Sequence, residues 1–310
     1  MLSFFQKIYK GFKKSGTIQK LFYGLTAIII LNIITNVGIN PLEGFEERTK
    51  NFISKEGQKV YDDFYTQIYD DLVFSKIKND FEIGQIIEKT SPSSESYILD
   101  IGSGTGHHVS SLDAHGFNAL GIDISPSMVA KAKKTYPELK FQNADALNTM
   151  LFNPNSFTHI TCFYFTIYYI KDKRQFFENC MKWLMPGGYL AIHLVDRNKF
   201  DPVMPAGSPF GLVSPQDYAD KRITSTVVDF DQFEYKADFN LKESEDIAVL
   251  NETFKKKNGE VRKNEHTFYM ETQKAILGLA KEAGFILHAK INMLSCQYEN
   301  QYIYILKKPN

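Results

Sequence analysis

Small and acidic residues alternate in the segment YILDIGSGTGHHV, residues 97–109, where Asp100, Gly102, Gly104 and Gly106 follow an apolar run. Glycines at the start of a helix let backbone N–H groups approach a ligand, because a side chain there would hold the ligand away. The GxGxxG spacing of nicotinamide-binding proteins needs a small residue at position 107, which is a histidine. The spacing is instead DxGxGxG, which indicates a ligand-binding loop but disfavours a nicotinamide dinucleotide.

Acidic residues follow the next two predicted strands. Asp123 ends the strand in GIDISPSM, 23 residues after Asp100, and Asp145 follows the strand in FQNADALN. Both carboxylates are candidate ligand contacts. Simpler interpretations remain open: Asp100 and Asp145 could be helix caps, and Asp123 a solvated acid at a strand end.

Strand-like and helical patterns alternate from residue 97 onward. They predict strands at 97–101, 118–123, 139–142, 157–163 and 189–195, and helices from about 106, at 126–136 and at 172–184. This alternation indicates an α/β protein with a doubly wound sheet. Residues 223–270, with an Asn-Gly turn at 258 and 259, predict a small antiparallel insert. A helix at 271–283 and strands at 285–293 and 301–307 are predicted to follow.

From about residue 61 to the C-terminus, this ordered set of motifs resembles the class I S-adenosylmethionine-dependent methyltransferases, in particular their small-molecule members. The run LMPGGYLAIHLV at 184–195 resembles the turn and fifth strand of that family, and the final antiparallel pair resembles the end of its sheet. The resemblance implies a Rossmann-like seven-stranded sheet with a C-terminal antiparallel strand pair. It also implies S-adenosylmethionine as the cofactor.

The resemblance further implies a set of cofactor-binding residues. Asp123 would accept hydrogen bonds from the ribose hydroxyls, Asp145 would accept one from the adenine amine, and Asp100 would fix the loop near the methionine amino group. The full set is Asp100, Gly102, Ser103, Gly104, Gly106, Asp123, Ile124, Met128, Asp145 and Ala146. Two features depart from the family pattern: Thr158 stands where many relatives have an acid, and His107 and His108 follow the glycines.

Aromatic residues before the sheet resemble a helix that folds over the donor in related enzymes. The segment YDDFYTQIYDD, residues 61–71, makes Tyr61, Tyr65 and Tyr69 candidates for such a lid, with plain packing as the alternative. Donor-binding contacts are expected from Tyr61 and Tyr69.

Candidate catalytic residues stand near the ends of the fourth and fifth predicted strands. His193 is the first candidate for a general base, although a histidine in a buried strand is more often a satisfied core residue. Tyr168 and Tyr169 are the next candidates. The insert at 223–270 is expected to form an acceptor pocket or lid, and the alternative is that its aromatic residues form only its own core.

Charge and cysteine content exclude several other classes. Lys and Arg together balance Asp and Glu at 36 each, but residues 1–40 hold five lysines and no acid, so the remainder is mildly acidic and nucleic acid is disfavoured as a partner. The three cysteines are far apart and lie in apolar surroundings, which indicates buried thiols rather than a metal site.

The N-terminal region is predicted to attach the protein to a membrane. Residues 1–20 are basic, residues 21–39 carry no charge and are long enough to span a bilayer, and residues 40–60 are interpreted as a linker to a domain at 61–310. A signal-like anchor, an interfacial helix or a mitochondrial presequence are the alternatives.

Three functional hypotheses follow. The first is a membrane-anchored, single-pass methyltransferase that acts on nitrogen or oxygen of a small or lipophilic acceptor, with its catalytic domain facing the cytosol or, alternatively, at the mitochondrial inner membrane. The second is a protein methyltransferase. The third is a module that binds S-adenosylmethionine without turnover.

Overall fold

The described part of the chain, residues 52–203 and 221–310 with the single residues 16 and 219, contains two β-sheets in a computed structural model. Its helices are α1 (Asp63–Val73), α2 (Lys76–Thr90), α3 (His107–Ala114), α4 (Pro126–Thr135), α5 (Thr166–Tyr169), α6 (Lys173–Trp183) and α7 (Gln273–Glu282). Its strands are β1 (Phe52–Glu56), β2 (Tyr97–Ile101), β3 (Asn118–Asp123), β4 (Lys140–Asn143), β5 (Phe157–Cys162), β6 (Leu184–Val195), β7 (Ser225–Asp229), β8 (Phe233–Lys242), β9 (Ile247–Lys256), β10 (Val261–Tyr269), β11 (Ile286–Asn292) and β12 (Gln301–Lys307).

The larger sheet has seven strands in the order β11-β12-β6-β5-β2-β3-β4. The strands from β6 to β4 in this order pair in parallel, whereas β12 is antiparallel to both β6 and β11. This is the predicted doubly wound sheet with its C-terminal antiparallel pair. The loops that follow β2, β3, β4 and β5 therefore meet at one edge of the sheet.

Local sequence signals set the ends of the helices around this sheet. Ser125 caps α4 by accepting a hydrogen bond from the backbone of Met128 at 3.2 Å, and Pro126 occupies the first turn, where its missing N–H costs nothing. Thr272 caps α7 in the same way through the backbone of Ala275. Strand β2 is almost wholly buried, as expected for a central strand with helices on both faces.

The smaller sheet has five strands in the order β1-β10-β9-β8-β7. Strands β7 to β10 form the predicted antiparallel insert, and alternate residues of β8, β9 and β10 point into the protein core. Strand β1 pairs in parallel with β10. The interpretation of residues 40–60 as a linker is thus wrong for 52–56, where alternating burial goes with a paired edge strand.

Two further predictions can be compared with the structure. The three cysteines are buried free thiols, which confirms that expectation. The predicted membrane span at 21–39 lies outside the described residues. In the part of the chain that the structure describes, no helix combines the length and the apolar character needed to cross a bilayer.

Gly121 in β3 lies where the larger sheet packs closely against the loop after β2. A Cβ atom at this position would lie 2.7 Å from the Ser103 hydroxyl oxygen and 2.7 Å from a ring carbon of Phe141. We expect Gly121→Ala to lower the free energy of unfolding by about 1–3 kcal/mol, because the neighbouring side chains must move. Urea denaturation followed by circular dichroism measures this change.

Gly84 on the exposed face of α2 supplies the matched control. A Cβ there meets no atom within 4 Å. Gly84→Ala should raise the free energy of unfolding by about 0.5–1 kcal/mol, since alanine favours the helix. Equal effects of the two substitutions would show that close packing at Gly121 is unimportant.

Candidate functional site

A cavity of about 790 Å³ lies at the carboxyl edge of the parallel strands, between the larger sheet, α1 and the β insert. Its lining includes residues that follow β2, β3, β4 and β5, and residues of β9 and β10. Cavities of this size hold drug-sized ligands. Predicted residues that line it are Tyr61, Tyr65, Tyr69, Gly102, Gly104, Asp123, Ile124, Met128, Asp145, Ala146, Tyr169 and His193.

The glycine loop forms one wall of this cavity. Gly102 has a φ of 73°, and a Cβ there would overlap the side chain of Thr166. Gly104 has a φ of 54°, and its Cβ position would face the cavity, with a ring carbon of Tyr69 as its nearest neighbour at 3.9 Å. The left-handed backbone favours glycine at position 104, and the open space beside it leaves room for a ligand.

Asp123 holds the loop in place from the end of β3. Its Oδ2 accepts a hydrogen bond from the Gly104 backbone at 3.0 Å, and its Oδ1 accepts one from the Ser125 backbone at 2.8 Å. Burial raises the pKa of Asp123 to about 6. A carboxylate oxygen has two lone pairs, so each oxygen can still accept a hydrogen bond from a ligand.

The neighbouring part of the cavity has an apolar surface and one further acid. Ile124 is 38% exposed and Met128 is buried, and both line the cavity. Asp145 accepts a hydrogen bond from the Leu147 backbone at 2.8 Å through Oδ1, and it lies next to Ala146. This combination suits a flat ring that carries a hydrogen-bond donor.

Three predicted cofactor residues lie beneath the loop and do not line the cavity. Asp100 is buried, and its Oδ1 accepts a hydrogen bond from the Thr161 hydroxyl at 2.7 Å. Its Oδ2 has no hydrogen-bond partner among the described residues, and burial raises its pKa. Ser103 packs against Gly121, and Gly106 faces Phe141. These residues therefore shape the loop from below.

The two histidines after the glycines take part in packing. His107 stacks on Phe74 with ring centroids 3.8 Å apart, and its Nδ1 lies 3.0 Å from the Tyr136 hydroxyl. The Nε2 atom of His108 lies 2.8 Å from the carboxylate of Glu82, which also pairs with the buried Lys78. This agrees with a packing role for both histidines.

The predicted tyrosine lid covers the cavity. Tyr61 precedes α1. The ring centroids of Tyr65 and Tyr69, both in α1, lie 5.4 and 6.2 Å from the ring centroid of Tyr61. In the same helix, Asp70 accepts a hydrogen bond from the Thr105 hydroxyl at 2.6 Å. The lid helix is thereby bonded directly to the glycine loop.

Tyr168 and Tyr169, both predicted as catalytic candidates, differ in position. Tyr168 is fully buried and absent from the cavity lining, and its hydroxyl accepts a hydrogen bond from the Val195 backbone at 2.9 Å. The prediction for Tyr168 is therefore wrong, because the short helix α5 directs this side chain into the core. Tyr169 lines the cavity.

His193 is both buried and a cavity residue. Its Nδ1 donates a hydrogen bond to the Tyr164 carbonyl at 2.6 Å, and its Nε2 has no partner among the described residues. Burial lowers the pKa of His193 to about 4, so the ring is neutral at physiological pH. This geometry is compatible with both earlier interpretations, general base and core residue.

Sequence reasoning did not identify two polar residues of the insert. His266 of β10 lines the cavity, and Glu252 of β9 lies behind it, with their Nε2 and Oε2 atoms 2.7 Å apart. The available signal was Glu252 among the apolar inward residues of β9, together with polar residues at three of the four buried positions of β10. The facing residues Tyr61 and Tyr169 come from distant segments, so the sequence could not reveal the grouping.

These residues fit S-adenosylmethionine. The space above Gly104 and the remaining lone pairs of Asp123 suit a ribose, and the Ile124, Met128 and Asp145 region suits adenine. Asp100 Oδ2, which is buried and has no hydrogen-bond partner among the described residues, is the candidate acceptor for the amino group of the methionine part.

Comparisons with known proteins agree with this fit. Residues 99–192 match the family model described as a methyltransferase domain. An O-methyltransferase of Pyrenophora dematioidea is 32% identical over 115 residues, which cover 35% of this chain and 42% of the relative. A dTDP-4-amino-2,3,4,6-tetradeoxy-D-glucose N,N-dimethyltransferase of Saccharopolyspora spinosa is 30% identical over 145 residues, 44% of this chain and 57% of the relative.

A solved structure shows the same fold over a longer stretch. The S-adenosylmethionine-dependent methyltransferase from Clostridium acetobutylicum ATCC 824 superposes with a TM-score of 0.59 at 18% identity, covering 80% of this chain and 97% of that one. By contrast, the chain spans about half the length of the curated relatives it matches. Residues 99–192 therefore belong to the methyltransferase-domain family, and the chain shares the fold of an S-adenosylmethionine-dependent methyltransferase over the part that superposes.

Proposed function

We propose that this protein transfers the methyl group of S-adenosylmethionine to an oxygen or nitrogen atom of a small or lipophilic acceptor. The observation that carries the proposal is a single cavity in which the donor-binding wall, at Gly104 and Asp123, continues into an aromatic chamber. The chamber is formed by α1, α5 and the insert, and its lining includes Tyr169, Phe268 and His266.

Methyl transfer from S-adenosylmethionine requires mainly that the protein bind and align the two reactants. S-adenosylmethionine supplies a methyl group that its sulfonium already activates. The residues of the chain have to hold the donor, orient the acceptor in line with it and exclude water. The aromatic chamber meets the last two needs, because its Tyr, Phe and His side chains offer apolar faces with a few polar atoms.

The similar proteins support a small acceptor. One curated relative is named for an amino sugar nucleotide and another only as an O-methyltransferase, so oxygen and nitrogen both remain candidates. The coverage of the cavity by α1 and the insert also favours a small molecule over a protein segment. Incubation of the protein with labelled S-adenosylmethionine and a size-fractionated extract would test this, since label in the protein fraction alone would contradict it.

We further propose that residues 21–39 anchor the enzyme to a membrane with its catalytic domain facing the cytosol, or a matrix-like space if the N-terminus is a mitochondrial presequence. The uncharged run and its flanking lysines support the anchor. Three free cysteines suit a reducing compartment, where the donor is made.

The first prediction here concerns Asp123. We expect Asp123→Ala to weaken binding of S-adenosylmethionine and S-adenosylhomocysteine by about 1–3 kcal/mol, because two hydrogen bonds to ribose and the support of Gly104 are lost. Titration calorimetry measures both ligands. Asp113→Ala, which removes an exposed carboxylate from α3, should leave both affinities unchanged.

The same carboxylate should set the pH dependence of binding. Its pKa of about 6 lies above the ordinary value of 3.8, so it is ionised and able to accept two hydrogen bonds at neutral pH. Affinity should be complete above this pKa and fall as the pH drops through it. Asp123→Ala should abolish that dependence, and a persisting transition near pH 6 in the variant would assign it to another group.

The second prediction concerns Gly104. Gly104→Val should abolish donor binding and leave the fold intact, because its side chain would occupy the open space above the loop. Gly116 also has a positive φ, 84°, and no atom within 4 Å of its Cβ position, but it is remote from the cavity. Gly116→Val thus controls for backbone strain, and normal donor binding by Gly104→Val would assign the loop a purely structural role.

The third prediction concerns the anchor. Full-length protein should remain with membranes through a carbonate wash, and deletion of residues 1–40 should release an active, water-soluble enzyme. Protease protection in sealed vesicles reports the orientation. Recovery of the full chain in the carbonate supernatant would contradict a membrane span at 21–39.

A further inference from the structure

A chain of short hydrogen bonds runs from the cavity wall into the insert. The Tyr61 hydroxyl donates to the Tyr169 hydroxyl oxygen at 2.7 Å, and the Tyr169 oxygen lies 2.7 Å from His266 Nδ1. On the far side of the ring, His266 Nε2 lies 2.7 Å from Glu252 Oε2. The segment before α1, helix α5 and the two insert strands β9 and β10 thus contribute to one connected array.

The surroundings of Glu252 keep it ionised. Its carboxylate has no solvent exposure, and burial alone would raise its pKa, but His266 and hydrogen bonds from Tyr235 and Asn264 hold the pKa below its usual value. Tyr65 donates a further hydrogen bond to it at 3.1 Å. An ionised carboxylate only accepts hydrogen bonds, so it selects the His266 tautomer protonated at Nε2.

This tautomer fixes the direction of the whole array. With hydrogen on Nε2, the Nδ1 atom carries a lone pair and accepts the hydrogen of Tyr169. Tyr169 in turn accepts from Tyr61, and its oxygen keeps a second lone pair. Both tyrosines line the cavity, and this lone pair of Tyr169 is the acceptor position that the array leaves unfilled. The rings of Tyr61, Tyr65, Tyr169 and Phe268 lie against His266, Glu252 pairs with its Nε2, and Asn264 donates a hydrogen bond to the same Glu252 oxygen.

We propose that Tyr169, His266 and Glu252 form a proton relay that deprotonates a hydroxyl group of the acceptor, which makes the enzyme an O-methyltransferase for phenol-like or other aromatic-faced hydroxyl compounds. The inference rests on the proposed methyltransferase function. A neutral amine attacks a sulfonium methyl group without losing a proton first, whereas a hydroxyl is a poor nucleophile until its proton is accepted. A built proton acceptor beside the acceptor chamber therefore favours a hydroxyl substrate.

Methyl transfer to the acceptor oxygen is coupled to two proton transfers along the array. The acceptor oxygen forms a bond to the methyl carbon as the carbon–sulfur bond breaks, and the bonding electron pair returns to sulfur as a thioether. The acceptor proton passes to the Tyr169 oxygen while the Tyr169 hydrogen passes to His266 Nδ1. The resulting imidazolium is stabilised by Glu252, and it later loses its proton to water. Tyr61 is a positioning residue, since it holds the Tyr169 oxygen.

His193, the earlier base candidate, suits this role less well. Its free Nε2 also borders the cavity, but its Nδ1 is bonded to a backbone carbonyl rather than to a carboxylate, and burial lowers its pKa to about 4. His266 has the carboxylate partner that an imidazolium needs.

The test uses the full-length protein with labelled donor and a series of para-substituted phenols, paired with anilines of the same shape. His266→Gln and Tyr169→Phe should lower kcat for weakly acidic phenols by about a hundredfold or more, with donor affinity unchanged. The loss should shrink as the phenol becomes more acidic and be smallest for 4-nitrophenol, which ionises without help. For each aniline the loss should be at least about tenfold smaller.

Tyr168→Phe is the matched control, because it removes the hydroxyl of the adjacent tyrosine, which lies in the core and not in the cavity. It should lower stability slightly and leave phenol methylation unchanged. Melting temperatures of all variants separate loss of fold from loss of relay, and Tyr169→Phe provides the test if His266→Gln is unstable.

A readout without turnover comes from 4-nitrophenol bound in the presence of S-adenosylhomocysteine. The phenolate absorbance reports ionisation, and we expect the apparent pKa of the bound probe to be at least about one unit higher in His266→Gln than in the wild-type protein. An equal apparent pKa, or an equal rate loss for all phenols, would overturn the relay.

Two further results of the same experiment decide separately on the hydroxyl acceptor and on the methyltransferase function. A wild-type protein that binds or methylates no phenol, or methylates only the anilines, overturns the hydroxyl assignment while methyl transfer itself stands. A protein that binds the donor but transfers label to no compound of the series or of an extract overturns the proposed function instead.

Discussion

The ionised carboxylate of Glu252, fully buried, is the interaction on which the geometry of the acceptor chamber depends. A buried charge is tolerated only when hydrogen bonds satisfy it, and removal of one partner of such a pair typically costs about 3–5 kcal/mol. Glu252 meets this requirement with donors from α1, β8 and β10. Because those donors must converge on two oxygen atoms, the carboxylate sets the position of the insert relative to the lid helix.

A second carboxylate, that of Asp123, positions the donor-binding wall. Burial and hydrogen bonding act on its pKa in opposite directions, and the result differs from that for Glu252. Asp123 is held by two backbone N–H groups, but burial prevails and its pKa rises. Glu252 receives more hydrogen bonds and faces an imidazole, so its pKa falls. Donor hydroxyl groups can add hydrogen bonds to Asp123, whereas the insert already supplies those of Glu252. Asp123 is therefore arranged for a ligand, and Glu252 for a neighbouring side chain.

The sequence predicted the larger sheet and placed Gly102, Gly104 and Asp123 at one edge of it, because both features depend on local signals. Alternating apolar segments, the glycines at 102 and 104 and an acid at the end of β3 all act within a few residues of one another. It did not predict β1, whose partner β10 lies about two hundred residues away, or the relay, which joins α5 to the insert. Pairings of that range follow from tertiary packing and leave no periodic signal in the chain. Tyr168 and Tyr169 show the same limit, since adjacent residues of one short helix point to the core and to the cavity.

The lid helix α1 connects the two halves of the site. At one end Asp62 accepts hydrogen bonds from both the Tyr65 backbone and the Arg262 side chain of β10, and at the other Asp70 accepts from Thr105 in the glycine loop. Burial tends to raise the pKa of Asp62, but the guanidinium of Arg262 outweighs it and lowers the pKa. The helix is thus bonded to the donor wall and to the insert at the same time. A movement of α1 that opened the cavity would have to break polar contacts on both sides, so donor loop, lid and proton relay are expected to form as one unit rather than as independent parts.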